Sequence, residues 1–295
     1  MRKNTPLLIL LLATSSVAAQ DLSSLIAKGG QVEKVATGYS FTEGPAVAPN
    51  GEIFFTDQPN NAIYIWNEKK GIRPFEADGE RSNGLYFDWD GQLVACADYR
   101  NKLLKISMDG KKTVLADSYD GKHLNGPNDL WIHPNGNIYI TDSYYHRDWW
   151  PEGHKQEQDV RGVYCLYPDG KLVRLAGDYK MPNGIIGTPD GKTLYIADIE
   201  DRKIWKYTIK EDGTLSDKTF FAPEGSDGMT IDQKGNVYLT NKAVSVFAPD
   251  GQKTGELIIP EQPANLTFGG KDRKTLFITA RTSVYTIRMN VKGVK

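Results

Sequence analysis

The chain has 295 residues, 36 Lys and Arg against 37 Asp and Glu, a formal net charge of −1, and 39% hydrophobic residues. Interspersed charge of this kind offers no basic stripe for nucleic acid, and past the first twenty residues no apolar run is long enough to span a bilayer. Two cysteines, Cys96 and Cys165, are too few for a disulfide scaffold; two buried thiols are expected, with a single bridge as the alternative in an oxidising compartment.

At the start of the chain, Arg2 and Lys3 precede an apolar run over residues 7–13, and Val17, Ala18 and Ala19 supply the small residues that a signal peptidase reads. Residues 1–19 are therefore expected to be a secretory signal cleaved after Ala19, placing the protein in a secreted, periplasmic or extracellular compartment. Residues 20–295 are expected to form one domain, with no membrane span.

From residue 42 onward a pattern repeats six times. Each repeat holds a small polar cluster, an apolar run into a tight turn, and a β-rich run whose last residue is Asp57, Asp98, Asp142, Asp198, Asn241 or Ala280. The spacings are 41, 44, 56, 43 and 39 residues, and the turns between the two runs are Pro49-Asn50-Gly51, Asp90-Gly91, Pro134-Asn135-Gly136, Pro189-Asp190-Gly191, Lys234-Gly235 and Gly270-Lys271-Asp272. Repeats of about 40–50 residues built from short strands and turn dipeptides specify a β-propeller with one four-stranded blade per repeat. The fold class is thus all-β, a six-bladed β-propeller. The sixth repeat ends before its outer strand, so residues 32–36 are expected to pair with residues 283–288 and close the ring, which removes an exposed sheet edge.

Fourteen or fifteen residues before each aligned position stands a carboxylate or a carboxamide: Glu43, Asn83, Asn128, Asn183, Asp227 and Asn265. An Asn or Asp before a strand is ordinarily a turn residue. Six in register, one of them Glu, point to a ring of oxygen donors at one mouth of the central channel, which suits a hard divalent cation.

The third repeat is oversized. Residues 143–161 lie between its second and third strands and include Tyr144, Tyr145, His146, Trp149, Trp150 and His154. This loop is expected to overhang the ring as a lid, its aromatic faces stacking on a carbohydrate-like ligand, with packing of the loop by Trp149 and Trp150 as the alternative. The four histidines, His123, His133, His146 and His154, match no common zinc spacing.

As a set, Glu43-Gly44-Pro45, Pro127-Asn128-Asp129-Leu130, Pro182-Asn183-Gly184-Ile185, Ser226-Asp227-Gly228-Met229 and Asn265-Leu266-Thr267-Phe268-Gly269-Gly270 resemble the senescence marker protein/gluconolactonase family of regucalcin-like lactonases, bacterial gluconolactonases above all. The resemblance implies one catalytic divalent metal in the channel. Its ligands would be Glu43, Asn183 and Asp227, with Asn128 as a fourth ligand or a substrate-binding residue, and Asp227 as the catalytic base. Ca2+ is the first choice, with Mg2+, Mn2+ or Zn2+ as substitutes. Substrate contacts are expected from Asn83, Asn128, Asn265, Tyr145, His146, Trp149 and Trp150. The regucalcin branch carries an arginine two residues before the counterpart of Asn128, where this chain has Gly126, so that contact does not carry over. The implied activity is hydrolysis of glucono-1,5-lactone or a related aldonolactone by a monomer or weak dimer. Phosphotriester or other ester hydrolysis on the same metal site, and a non-catalytic secreted sugar-binding propeller, are the alternatives.

Overall fold

The structure is a computed structural model that describes residues 22–150 and 152–294. The expected signal segment, residues 1–19, lies outside the described residues. Six four-stranded antiparallel sheets follow one another around a central channel. Their innermost strands are Thr42–Val47, Ser82–Phe87, Pro127–Ile132, Pro182–Gly187, Met229–Ile231 and Pro263–Gly269.

Burial grades outward across each blade. In the third blade the inner strand Pro127–Ile132, the second strand Ile138–Asp142 and the third strand Gly162–Leu166 are buried throughout, whereas the outer strand Leu172–Ala176 is only half-buried. Neighbouring blades pack face to face through large apolar side chains. Trp131 of the third blade lies so close to the fourth that a Cβ at Gly187 would fall 2.3 Å from its indole ring, which is why that strand position holds glycine.

The ring closes as expected, with a shift of one residue. Glu33–Thr37, rather than residues 32–36, is the outer strand of the sixth blade, and it pairs antiparallel with Ser283–Arg288 through a bulge between Lys34 and Ala36. At the far end of the channel the C-terminal segment crosses back, with Gly293 bridged to Asp232 and the Val294 N–H donating to the Ile231 carbonyl. Cys96 and Cys165 are buried and free. No helix among the described residues is long and apolar enough to cross a membrane.

The repeated aspartates at the ends of the second strands are structural clamps. Asp57 accepts from the Ser40 and Phe41 N–H groups, Asp142 from those of Asn125 and Gly126, and Asp198 from those of Lys180 and Met181. Each carboxylate thereby fixes the chain as it enters the innermost strand of its own blade, just before the ring residue. Asp98 breaks the pattern and serves the lid instead.

Candidate active site

In the five blades whose inner strand carries its bulge within the sheet, that bulge lies at the start of the strand: between Glu43 and Ala46, Ser82 and Leu85, Pro127 and Leu130, Pro182 and Ile185, and Pro263 and Asn265. The extra residue re-aims the side chains at the mouth of the channel. Threonine hydroxyls of the second strands lock the register: Thr141 Oγ1 accepts from the Asp129 N–H, Thr240 Oγ1 from the Gly228 N–H, and Thr279 Oγ1 from the Asn265 N–H.

These bonds define two tiers rather than one ring. The first holds Glu43, Asn83, Asn128, Asn183, Asp227 and Ala264. The second, one residue further along each strand, holds Gly44, Gly84, Asp129, Gly184, Gly228 and Asn265. Asn265 therefore does not belong with the other five, because the sixth blade presents Ala264 in that register; counting from strand ends missed the one-residue offset. The second-tier glycines are demanded by crowding, since a Cβ on Gly228 would fall 2.0 Å from the Asn265 amide and one on Gly84 2.6 Å from Asp129 Oδ1.

Glu43, Asn128 and Asn183 are 2%, 5% and 2% exposed, and Asp227 is half-buried, the most accessible of the four. The Gly44 N–H donates to Glu43 Oε2 at 2.9 Å. Burial raises the Glu43 carboxyl well above its usual range, and the neighbouring Asp227 raises it further. Burial likewise pushes Asp227 up to about 6, against the Asn183 amide and the more distant charges of Arg147 and Arg281, which favour its ionised form. Asp129, which the ring pattern passed over, is buried and pushed up to about 7, chiefly by desolvation. Asn265 Nδ2 donates to Asp129 Oδ2 at 3.4 Å, so this pair sits beneath the first tier and caps a small cavity of about 50 Å³ that Val294 also lines.

Carboxylates crowded without a paired cation are costly unless a metal or protons neutralise them. No group of three or more His, Cys, Asp or Glu among the described residues has metal-binding geometry. Within the first tier, Glu43, Asp227, Asn128 and Asn183 instead combine two carboxylates with two amides, an all-oxygen set that fits a hard divalent cation.

The long loop does overhang the mouth. Tyr145 reaches the ring, where its hydroxyl accepts from Asn183 Nδ2 at 2.9 Å. His146 is exposed, and its ring lies 6.4 Å from that of Trp150. Trp150 does not offer a stacking face. It is 8% exposed, donates its indole N–H to the Asp98 carbonyl at 3.2 Å, and packs 4.0 Å from the His154 ring. Trp149 is half-buried with two guanidiniums against its ring, Arg81 at 4.7 Å and Arg147 at 5.4 Å. Arg147 Nε in turn donates to Asp98 Oδ2 at 2.9 Å. Reading the loop for its aromatics overlooked this arginine.

A family model described as SMP-30/Gluconolactonase/LRE-like region matches residues 41–282, which encloses both tiers and the lid. The gluconolactonase of Zymomonas mobilis is 29% identical to this chain, over 92% of this chain and 85% of that protein. The diisopropyl-fluorophosphatase of Loligo vulgaris is 26% identical, over 83% and 87%. Among solved structures, the gluconolactonase XC5397 of Xanthomonas campestris superposes with a TM-score of 0.85 at 27% identity, covering 91% of this chain and 92% of that one.

Proposed function

Because the chain belongs to the SMP-30/gluconolactonase/LRE-like family, we propose that it is a divalent-cation-dependent hydrolase that opens a sugar lactone, glucono-1,5-lactone or a related aldonolactone, to the aldonic acid. The observation that carries this reading is the first tier itself: Glu43 and Asp227, two carboxylates shifted upward by burial, set beside the amides of Asn128 and Asn183. Glu43, Asn128, Asn183 and Asp227 would hold the cation, Ca2+ in the first instance because it accepts irregular all-oxygen sites, with Mg2+, Mn2+ or Zn2+ as substitutes. When bound, the cation supplies Lewis-acid polarisation of the lactone carbonyl.

The remaining chemistry falls to the chain. Asp227 is the most accessible of the four, and as the carboxylate nearest the mouth it is placed to accept a proton. It takes that proton from the attacking water as the oxygen adds to the lactone carbonyl carbon. The bond from that carbon to the ring oxygen then breaks, and Asp227 returns the proton to the departing oxygen, which becomes the hydroxyl of the aldonic acid. Tyr145, His146 and Asn83 surround the entry as substrate contacts, and Tyr145 also holds the Asn183 amide in its orientation. The pattern of residues 1–19 supports a secreted, periplasmic or extracellular site of action.

A panel of sugar lactones assayed by proton release, with and without EDTA, tests the proposal. Turnover abolished by EDTA and restored by a divalent cation is expected; turnover indifferent to EDTA would remove the metal from it. A second reading, phosphotriester hydrolysis, is favoured by the similarity to the squid diisopropyl-fluorophosphatase. Fluoride release from diisopropyl fluorophosphate, faster than proton release from every lactone, would establish that reading instead.

A further inference from the structure

The lid contains a cation that the lactone reading leaves without a task. Arg147 leans on the Tyr145 ring at 5.1 Å and on the Trp149 ring at 5.4 Å, and its Nε is tied to Asp98, a buried carboxylate that also accepts from Gln58 Nε2 at 3.2 Å. Trp150 braces the same aspartate by donating to its main-chain carbonyl. Two rings and a carboxylate thus fix one guanidinium in the lid, with Trp150 bracing the carboxylate's residue from behind. Its two terminal amino groups have no hydrogen-bond partner among the described residues, and the side chain is 23% exposed.

Holding a long flexible side chain this firmly removes the entropy cost of ordering it when a ligand arrives. A planar guanidinium held through Nε presents its Nη groups as a fork, suited to two neighbouring acceptor oxygens. Tyr145 links this fork to the ring, since one residue touches both Arg147 and Asn183.

We propose that Arg147 is the substrate-orienting residue of the lid, binding two adjacent oxygens on the non-reacting side of the lactone, and that Trp149 and Trp150 hold Arg147 in place rather than stacking on the sugar. The inference rests on the lactone reading and deepens it. The oxygen pair could be vicinal hydroxyls or a carboxylate, so the test includes both.

The experiment compares glucono-1,5-lactone, glucaro-1,4-lactone and δ-valerolactone, which lacks any substituent for Arg147 to grip. The variants are Arg147→Gln, the double variant Arg147→Gln/Asp98→Asn, which leaves no unpaired buried carboxylate, and Trp149→Ala in both backgrounds. In the Arg147 variants KM for the substituted lactones should rise roughly tenfold or more with kcat changed far less, while δ-valerolactone kinetics stay put. A loss on both substituted lactones assigns vicinal hydroxyls, and a loss confined to the glucarolactone assigns its carboxylate. Trp149→Ala should raise KM in the wild-type background but add nothing once Arg147 is gone. Equal losses on δ-valerolactone, unchanged KM values, or an additive Trp149 effect would each overturn the inference. If the wild-type protein opens none of the three lactones with a divalent cation present, the lactone reading itself fails, which is a different result.

Discussion

The Tyr145 hydroxyl accepts a hydrogen bond from Asn183 Nδ2 at 2.9 Å, joining the lid of the third blade to a ring residue of the fourth. An amide that donates through its nitrogen in one direction has its oxygen fixed in another, so Tyr145 determines where Asn183 points. Partners of this kind behind metal ligands typically matter by about 10–100-fold in affinity or activity. Tyr145→Phe should therefore weaken Ca2+ binding by about tenfold, measured by calorimetric titration, while leaving the fold intact. Unchanged affinity would show that Asn183 is oriented without Tyr145.

One carboxylate ties the closing strand to the strand it pairs with. Glu261 accepts from Lys34 Nζ on the closing strand, from the Thr282 N–H and hydroxyl, from Ser283 Oγ and from Tyr285 Oη. Together these partners draw its pKa down to about 2 despite the opposing effect of desolvation. Hydrogen bonds to a charged group contribute about 1.5–3 kcal/mol. Glu261→Gln should lower stability by about that amount, and the difference from wild type should shrink as pH falls from the ordinary carboxylate range toward 2, where wild-type Glu261 is itself protonated. A Tm deficit that stays constant down to that pH would mean the charge is not what matters.

The buried acids act in the opposite sense. Asp227 is pushed to about 6, Asp129 to about 7, and Glu43 upward, so the folded protein holds protons that the unfolded chain has released. Stability from these groups is present below about pH 4 and is lost as pH rises through 6 to 7. Metal-free protein should accordingly show a falling Tm between pH 5 and 8, and saturating Ca2+ should raise Tm more at pH 8 than at pH 5. Asp129→Asn should stabilise the metal-free form at pH 8 by about 2–4 kcal/mol and leave it nearly unchanged at pH 4. A Tm of the metal-free protein that is flat across this range would contradict the assignment.

Much of this was legible because propeller blades repeat their physics. Turn glycines recur where the hairpins need a left-handed residue, as at Gly51 and Gly136, and the clamping aspartates recur in three blades, at Asp57, Asp142 and Asp198, where each fixes the strand entering its own blade. Asp129 was legible too. Four of the six repeats place glycine directly after the ring residue, so Asp129 and Asn265 stand out once the tiers are aligned, and only the bulge in the sixth blade hid the offset. The lid was a different matter. Its residues follow no period, and whether Trp149 faces a ligand or two guanidiniums is settled by Arg81, which comes from the loop entering the second blade and carries no sequence signal linking it to Trp149.

The first tier allows holding the cation and moving the proton to be separated. Glu43 and Asp227 are its only carboxylates, but Glu43 is enclosed, with Oε2 engaged by the Gly44 N–H, whereas Asp227 is accessible from the mouth. Asp227→Asn keeps an oxygen of the same shape and removes the basicity, so activity should fall by roughly 10²-fold or more. Cation affinity should also drop, yet saturating Ca2+ should restore occupancy without restoring rate. Glu43→Gln removes formal charge and no base, so its lost activity should return largely at high Ca2+. Calorimetric titration of Ca2+ alongside lactone kinetics reads both effects. If the two variants recover alike, Asp227 only holds the cation, and the proton acceptor must be sought in the lid, at His146 or His154. If neither variant changes lactone hydrolysis, the first tier is not the active site.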